Sequence, residues 1–242
     1  MLVPFENPRM GGVGSAQQMT PVGVNRTVWE VIADMRLSMR MMEAAATTYG
    51  DGGISCLSGR TAVYRTEILV DPEFQDKFVH EKWRGKYQLT SGDDKFITRW
   101  LVSHDWEMRF QYNRAASLKT TFKPNWHFLK QLLRWTRNTW RSDFRSLFID
   151  RYVWRRYPYV AFNMIDKMLN PLTLLYGPTF IAILMLTHPS WSPWTILVSE
   201  IMWIVFSRYI RLILHWRRVP KDLVRQNNKL AAHKFIGNSN LL

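Results

Sequence analysis

The sequence predicts a mixed α/β domain that is followed by an amphipathic interfacial helix and then by a two-helix transmembrane hairpin. Three observations predict this order. Residues 1–124 alternate short apolar segments with turns rich in Gly, Pro and Asp. Residues 126–148 place apolar and basic side chains at helical spacing, and residues 171–216 contain two long apolar stretches.

The first 124 residues predict part of an α/β domain. The opening segment, residues 4–14, is rich in Pro and Gly and is expected to form a loop or turns. Residues 27–46 lack Gly and Pro and predict a helix that is ended by Asp51-Gly52-Gly53. The other elements expected here are a strand, tight turn and second strand or helix start over 54–64, a helix over 71–82, a helix start near 98–102 and a strand over 115–123.

Residues 126–148 predict a basic amphipathic helix. Apolar residues recur every three or four positions on one side of it, and another side is basic. The basic residues are Lys130, Arg134, Arg137, Arg141 and Arg145. Large apolar side chains beside a row of cations are typical of a helix that lies in the water–lipid interface. A core-facing helix of a soluble domain would show the same spacing, and this alternative stays open.

Two apolar stretches predict a transmembrane hairpin over residues 169–216. Residues 171–187 hold 17 residues without a charge, which is the short end of the length that a transmembrane helix needs. Pro178 is expected to kink this helix. The second stretch, residues 193–216, is long enough for a tilted crossing but contains Glu200. Glu200 is expected either to pair with a group on another helix or to line a polar path.

The net charge of +14 is concentrated on both sides of the apolar hairpin. Residues 114–170 hold 12 Lys or Arg against three Asp, and residues 208–242 hold eight against one. Because basic loops remain in the cytoplasm, an integral protein of the plasma membrane with both termini cytoplasmic is predicted. Membrane lipids are therefore the expected partner of the basic segments, and nucleic acid is not expected.

The cysteine and histidine residues indicate whether disulfides or a metal site are expected in this chain. The single cysteine, Cys56, excludes an internal disulfide framework and fits a reducing compartment. The six His residues show no ligand spacing, so no metal site built by this chain alone is predicted.

Asp93 and Asp94 follow Gly92 and place two carboxylates on a turn or helix start. Like charges this close can raise the pKa of one carboxyl and leave a base that works near neutral pH. The alternative is that one Asp only caps the helix, which is the commoner use of such a pair.

Gln131, Arg134 and Trp135 share one side of a helix, since they lie three and four positions apart. An amide, a guanidinium and an indole together suit a phosphorylated sugar, because Arg binds phosphate with two hydrogen bonds and Trp stacks on a sugar ring. An ordinary amphipathic helix with a buried Trp would have the same pattern, and the motif alone does not decide between the two.

The order of these motifs resembles the processive family 2 glycosyltransferases, which include hyaluronan, chitin and cellulose synthases. Ser-Gly-Arg at 58–60 is followed by Gly-Asp-Asp at 92–94, by Gln-x-x-Arg-Trp at 131–135 and by the interfacial helix and membrane spans. The Gly-Asp-Asp form and the Leu-Ser-Gly-Arg stretch at 57–60 are most similar to hyaluronan-synthase-like and fungal capsule-type polysaccharide synthases. Residues 4–14 resemble the segment that follows the metal-binding acidic motif in these enzymes.

The resemblance implies a membrane polysaccharide synthase that transfers sugar from a UDP-sugar to a growing glycan with inversion. The site residues that it implies are Asp94 as the general base with Asp93 in support, Ser58, Gly59, Arg60 and Trp135 around the acceptor sugar, and Gln131 and Arg134 at the donor diphosphate. Residues 1–124 would be the C-terminal half of a GT-A-like catalytic domain, 125–168 the interfacial helices, 169–216 the hairpin and 217–242 a basic cytoplasmic tail.

This sequence departs from the family pattern in its donor half. In these enzymes a uridine-contacting Asp and an Asp-x-Asp metal motif precede the matched segment, and no Asp-x-Asp occurs here. The chain is therefore expected to be either a fragment or a divergent member that has lost catalysis, and to be inactive alone, with Mg²⁺ or Mn²⁺ needed by the complete enzyme. The alternative is a non-catalytic membrane adaptor whose basic helix binds anionic lipid.

Overall fold

The fold is described by a computed structural model for residues 2–23, 26–113, 115–187, 192, 194–203 and 205. The strands are β1 (Met10–Ser15), β2 (Gln17–Met19), β3 (Ala62–Tyr64), β4 (Lys82–Trp83), β5 (Tyr87–Gln88), β6 (Glu107–Gln111) and β7 (Leu118–Thr120). The helices are α1 (Val28–Gly50), α2 (Thr66–Leu69), α3 (Pro72–Val79), α4 (Asp93–Ser103), α5 (His127–Phe144), α6 (Tyr152–Arg156), α7 (Pro158–Thr187) and α8 (Trp194–Trp203). A 3₁₀ turn over Val3–Glu6 precedes β1, and a π-helical turn over Arg145–Asp150 follows α5.

β1 is the middle strand of a three-stranded sheet in the order β3-β1-β6. It pairs antiparallel with β3 and parallel with β6, and all six of its residues are buried. The expectation of a loop over 4–14 was therefore wrong for its second half. The glycines here permit close packing rather than a turn, since a Cβ on Gly12 would lie 2.7 Å from the side chain of Leu57 and 2.9 Å from that of Leu101.

The helix predicted over 27–46 is confirmed as α1 and extends to Gly50. Thr27 and Glu30 form a capping box at its start, in which each side chain accepts a hydrogen bond from the other residue's backbone. Leu37 and Met41 face the core. The helix ends at Asp51, as the Asp-Gly-Gly triplet predicted.

The shorter predicted elements are only partly confirmed. The segment 54–64 contains one strand, β3, at its end, and the strand expected over 115–123 is limited to β7. The helix expected over 71–82 ends at Val79, after which β4 and β5 form a small antiparallel hairpin. The helix expected near 98–102 begins earlier, at Asp93, because Gly92 adopts a left-handed conformation and turns the chain into α4.

The amphipathic helix predicted over 126–148 is confirmed as α5 and its π-helical turn. Phe128 and Asp143 are buried against the α/β part. The large apolar residues of another face are exposed to between 39% and 63%; they are Leu129, Leu133, Trp140 and Phe144. A core-facing helix would bury these side chains, so this face of α5 is not part of the core.

α7 begins at Pro158, well before the apolar stretch at 171, and continues without a break through positions 171 and 178. Among the described residues it is the one helix whose length and composition would let it cross a membrane, while α8 is a shorter apolar helix. The rest of the second predicted span, the connection at 188–191 and the basic tail at 217–242 lie outside the described residues. The two-helix hairpin therefore stays a prediction.

The chain divides into two compact units, Met1–Leu174 and Leu175–Leu242. The predicted site residues all belong to the first. In the second, Gly177 of α7 leaves room for the carboxylate of Glu200 on α8, since a Cβ there would lie 1.9 Å from Oε1. A cavity of about 320 Å³ lies beside Glu200 and is also lined by Phe180, Thr195 and Ser199.

Candidate active site

The two carboxylates of the Gly-Asp-Asp motif occupy the first turn of α4. The backbone N–H of Lys95 donates to Oδ1 of Asp94 over 2.9 Å, and the N–H of Phe96 donates to the Gly92 carbonyl over 3.0 Å. The helix N-terminus favours negative charge at this position. The N-cap residue is Gly92 and not an Asp, but both carboxylates are first-turn acids, which the capping alternative also expected.

The Ser-Gly-Arg motif forms a tight turn directly beside these carboxylates. The N–H of Thr61 donates to the Ser58 carbonyl over 2.9 Å and closes the turn. A Cβ on Gly59 would lie 3.8 Å from Oδ2 of Asp93 and 3.8 Å from Cβ of Asp94. Tertiary structure therefore brings together two motifs that are more than 30 residues apart in the sequence.

Gln17 holds this turn in place, and no sequence pattern identified it. Its side-chain amide donates to Oγ of Ser58 over 2.7 Å and to Oγ1 of Thr61 over 2.9 Å. Thr61 in turn donates to the carbonyl of Ser15 over 3.1 Å. The Ser58 hydroxyl is thus bound to the side chain of Gln17 on β2, while Gly59 and Arg60 are exposed.

Arg60 connects the turn to α5. Its guanidinium lies 6.0 Å from the ring centre of Trp135 and 5.0 Å from that of Phe122, and it donates to Oγ1 of Thr120 over 2.8 Å. Desolvation lowers the pKa of Arg60, and the nearby positive charges of Arg40 and Arg134 lower it further. Arg60 therefore lies within the electrostatic influence of Arg134 on α5.

α5 crosses near the start of α4. Ser91 donates to the side-chain oxygen of Asn138 over 3.2 Å, and Asn138 packs against Gly92. Gln131 and Trp135 precede Asn138 on the same face of α5 and are partly buried, whereas Arg134 is exposed. The helix thus brings Asn138 to the N-cap of α4 and Trp135 to Arg60.

Three further residues lie near Asp94, and sequence reasoning gave neither Arg40 nor Cys56 a place in the site. The guanidinium Nη2 of Arg40 lies 3.5 Å from Sγ of Cys56. Burial raises the pKa of the Cys56 thiol to about 11, with the negative charge of Asp94 adding to the rise. Burial also raises the pKa of Tyr64, helped by the negative charges of Cys56, Asp94 and Asp93. Only the tertiary fold places them together, and no spacing in the sequence points to them.

The implied Mg²⁺ or Mn²⁺ does not find a complete site among the described residues. They contain no group of three or more His, Cys, Asp or Glu side chains that could hold a metal ion. Asp93 and Asp94 are acidic oxygen donors, and Mg²⁺ is commonly bound by one or two carboxylates together with substrate phosphates and water. These two carboxylates are the described acidic residues of the motif that could contribute to such a site.

The carboxylates and guanidinium groups of this site are the types of group that remove a proton and stabilise a negatively charged leaving group. Two carboxylates at a helix N-terminus border an open glycine turn, and Arg60, Arg134 and Trp135 lie on the neighbouring side. A hydroxyl placed between them could lose its proton to a carboxylate, while the guanidinium groups would stabilise negative charge on a leaving group.

Comparison with known proteins identifies the family of this chain. Residues 1–138 match the family described as glycosyltransferase-like family 2, and the chain belongs to that family. The family implies a GT-A-like α/β fold, as predicted. The match includes the turn at 58–60, the carboxylates at 93–94 and the Gln-x-x-Arg-Trp motif.

Curated relatives cover nearly all of this chain. A type 2 glycosyltransferase of Pyricularia oryzae is 36% identical over 230 residues, which are 93% of this chain and 47% of the relative. A type 2 glycosyltransferase of Zymoseptoria tritici is 36% identical over 232 residues, 93% of this chain and 48% of the relative. Hyaluronan synthase 1 of Xenopus laevis is 31% identical over 102 residues, 42% of this chain and 16% of the relative. The chain spans about half the length of the fungal relatives it matches.

Proposed function

We propose that this chain is the acceptor-side and membrane-side part of a polysaccharide synthase that transfers sugar from a UDP-sugar to a growing glycan. One observation carries the proposal: the Ser-Gly-Arg turn lies against Asp93 and Asp94, with Arg60 reaching Trp135 of α5. The three motifs thus border one surface, although they are separated in the sequence. Similarity to fungal type 2 glycosyltransferases and, more weakly, to hyaluronan synthase supports this class of reaction.

In the proposed mechanism Asp94 is the general base. It takes the proton from the acceptor hydroxyl, and the hydroxyl oxygen attacks the anomeric carbon of the donor sugar. The nucleoside diphosphate leaves from the opposite side, so the configuration at this carbon is inverted. Asp93 supports Asp94 by its negative charge. Ser58, Gly59 and Arg60 border the acceptor sugar and Trp135 stacks on it.

Gln131 and Arg134 are proposed to stabilise the diphosphate as it leaves. Charge grows on the leaving oxygen in the transition state, and fixed donors aimed at that charge lower the barrier. The exposed guanidinium of Arg134 is suited to this role because it can bind a phosphate with two hydrogen bonds. Residues that bind uridine and Mg²⁺ or Mn²⁺ are proposed to come from a part of the protein outside these 242 residues.

The proposal is tested by replacing Asp94 with Asn in the full-length gene product and measuring UDP release and polymer formation. Loss of a general base is expected to lower the rate by about 10²–10⁴-fold with little change in thermal stability. Asp76→Asn is the matched control, since Asp76 is an exposed carboxylate on α3. Undiminished polymer synthesis by Asp94→Asn would exclude Asp94 as the base.

We propose that α5 lies in the membrane interface and that α7 and the second apolar stretch, residues 193–216, both cross the membrane, with both termini in the cytoplasm. Support comes from the exposed apolar row on α5 and from the length and composition of α7. Resistance of the protein to carbonate extraction tests whether it is integral, and protease accessibility of tags at each terminus tests the orientation. Glu200 would then lie within the apolar part, beside the cavity of the second unit.

The adaptor alternative has less support. The exposed face of α5 fits lipid binding in either case, but the matched relatives are named as glycosyltransferases. The site described above also has the residue types that sugar transfer needs. An inactive full-length protein that still binds anionic vesicles would favour the adaptor.

A further inference from the structure

Lys95 follows the proposed base directly in the sequence and is almost fully buried, with 7% of its surface exposed. Its ammonium donates to Oδ1 of Asp143 over 2.7 Å and to the Ser55 carbonyl over 3.1 Å. Asp143 lies on α5 and is 1% exposed. Burial alone would lower the pKa of Lys95, but the attraction and hydrogen bond of Asp143, together with Cys56, raise that pKa. Lys95 therefore carries its positive charge at neutral pH.

A buried ion pair of this kind is poor evidence of a purely stabilising role. Removing two charges from water costs several kcal/mol per ion, and apolar replacements of a buried pair are often neutral or stabilising. Oδ2 of Asp143 has no hydrogen-bond partner among the described residues, so part of the cost is not offset. The location of the pair offers a better explanation for it than stability does.

Lys95 connects three parts of the proposed site. Its backbone N–H is the group that donates to the Asp94 carboxylate. Its ammonium holds the Ser55 carbonyl, three residues before Ser58, and it holds Asp143, eight residues after Trp135 on α5. Thr98 gives a second link between the first two parts, since its hydroxyl donates to the Asp94 carbonyl over 2.7 Å and accepts from the Leu57 N–H over 3.0 Å.

We propose that Lys95, through Asp143 and the Ser55 carbonyl, is a positioning residue that sets the distance between the carboxylates, the acceptor turn and α5. This inference rests on the proposed function for its kinetic consequence. Its structural consequence, an ordered start of α4, holds for the chain itself. Displacement of a catalytic group by about 1 Å can lower a rate by about a hundredfold, so a loosened turn should affect turnover more than substrate binding.

The packing of the two helices does not depend on this pair alone. Arg99 of α4 pairs with Glu81 and lies 3.9 Å from Asp150 of the π-helical turn, and Arg145 lies 3.5 Å from Asp150. A variant that lacks the Lys95–Asp143 pair but buries no single charge should therefore fold. Lys95→Met/Asp143→Leu is such a variant.

The test compares Lys95→Met, Asp143→Leu and the double variant in the full-length protein. Each single variant leaves one buried charge and is expected to lower Tm clearly. The double variant is expected to recover most of the Tm. If Lys95 is a positioning residue, kcat of the double variant stays about 10- to 100-fold below wild type while KM for the UDP-sugar changes less than about threefold. Recovery of Tm and kcat together would overturn the proposal.

Arg26→Met/Asp34→Leu is the matched control. These two residues form another largely buried ion pair, at 3.0 Å, near the start of α1. Its loss is expected to leave kcat within about twofold of wild type. If the Lys95 double variant does not fold, Asp143→Glu replaces it, since the charges remain and the link lengthens by one methylene. A kcat that falls about threefold or more at unchanged Tm supports positioning, and an unchanged kcat overturns it.

Hydrogen exchange separates a failure of this proposal from a failure of the proposed function. If the wild-type protein transfers no sugar, the amides of Leu57, Lys95 and Phe96 still report on the order of the turn. We expect them to exchange about tenfold faster in the Lys95→Met/Asp143→Leu variant, with the amides of α1 unchanged. Equal exchange at these three amides in both proteins would overturn the positioning role whatever the activity.

Discussion

At the residue scale, Gly12 and Gly59 differ in why a side chain is absent: the first is required by packing and the second is not. Gly12 lies in the buried strand β1, where a Cβ would meet Leu57 at 2.7 Å. Gly59 lies on an exposed turn, where a Cβ would be no closer than 3.8 Å to Asp93 and Asp94. The absence of a side chain at Gly59 is therefore not required by packing and leaves the space beside the carboxylates open.

Gly59→Ala is expected to change the free energy of unfolding by less than about 0.5 kcal/mol relative to wild type, because the added methyl makes ordinary contacts. The same methyl narrows the proposed acceptor space and is expected to lower sugar transfer about tenfold. Gly12→Ala, in contrast, is expected to cost about 1–3 kcal/mol by overpacking. Thermal unfolding and UDP release measure the two effects, and full activity of Gly59→Ala would contradict the placement of the acceptor.

The thiol of Cys56 gives a pH-dependent prediction. Its pKa is raised from 9.0 to about 11, so the neutral thiol is favoured in the folded protein. The stabilisation that results is complete below pH 9 and is lost as the pH rises through 11. Because Cys56 is the single cysteine, alkylation by iodoacetamide followed by mass spectrometry reports on it alone.

Alkylation of the folded protein is expected to stay slow at pH 8 and to increase toward pH 11. The urea-unfolded chain is the control, and its rate should increase around the ordinary thiol pKa of about 8.5. Identical pH profiles for the two states would show that the thiol is not shielded from water in the fold.

At the element scale, α5 presents two different faces. Phe128 and Asp143 pack into the α/β part, and Trp135 contacts Arg60. The opposite row exposes Leu129 and Leu133 beside basic residues. The helix can therefore hold the site with one face and contact lipid with the other.

A peptide of residues 126–148 is expected to bind anionic vesicles and become helical, with binding that weakens as salt increases. Leu129→Gln/Leu133→Gln should weaken binding about tenfold or more, because two apolar side chains are lost from the lipid-facing row. Asn138→Gln is the control outside that row, since position 138 lies on the other side of the helix from Leu129 and Leu133. Circular dichroism with vesicle titration measures both, and equal binding of the double variant would argue against an interfacial role.

At the scale of the whole molecule, Asp51 links the α/β part to the long apolar helix. Oδ2 of Asp51 accepts from the N–H groups of Tyr159 over 2.8 Å and Val160 over 3.1 Å, at the start of α7. Gly53 fits under Tyr157 and Val160, where a Cβ would clash at 2.5 Å and 2.7 Å. The Asp-Gly-Gly triplet thus ends α1 and also seats the beginning of α7.

Asp51→Ala is expected to lower the free energy of unfolding by about 1–2 kcal/mol, since two N–H groups of α7 lose their acceptor. Asp51→Asn should cost less, because the amide oxygen still accepts. Thermal unfolding in nanodiscs measures both. A destabilisation by Asp51→Asn equal to that by Asp51→Ala would show that charge, rather than capping, is what α7 needs.

The sequence by itself determined the elements whose signals are local. The lack of Gly and Pro and the helical spacing predicted α1, the alternating apolar and basic rows predicted α5, and the uncharged stretch at 171–187 predicted an apolar helix. These features follow from neighbours within one or two helical turns, so they need no tertiary information. The motif order also pointed to family 2 glycosyltransferases, to which the chain belongs.

Tertiary structure alone decided which residues meet. The glycines of residues 11–14 were expected in a loop, yet they lie in the central strand because neighbouring side chains of Leu57 and Leu101 need their space. Gln17 holds Ser58, and Lys95 joins Asp143, although nothing in their spacing predicts either contact. Hydrogen bonds and ion pairs between distant residues depend on how strands and helices pack, and the spacing of residues in the sequence does not predict that packing.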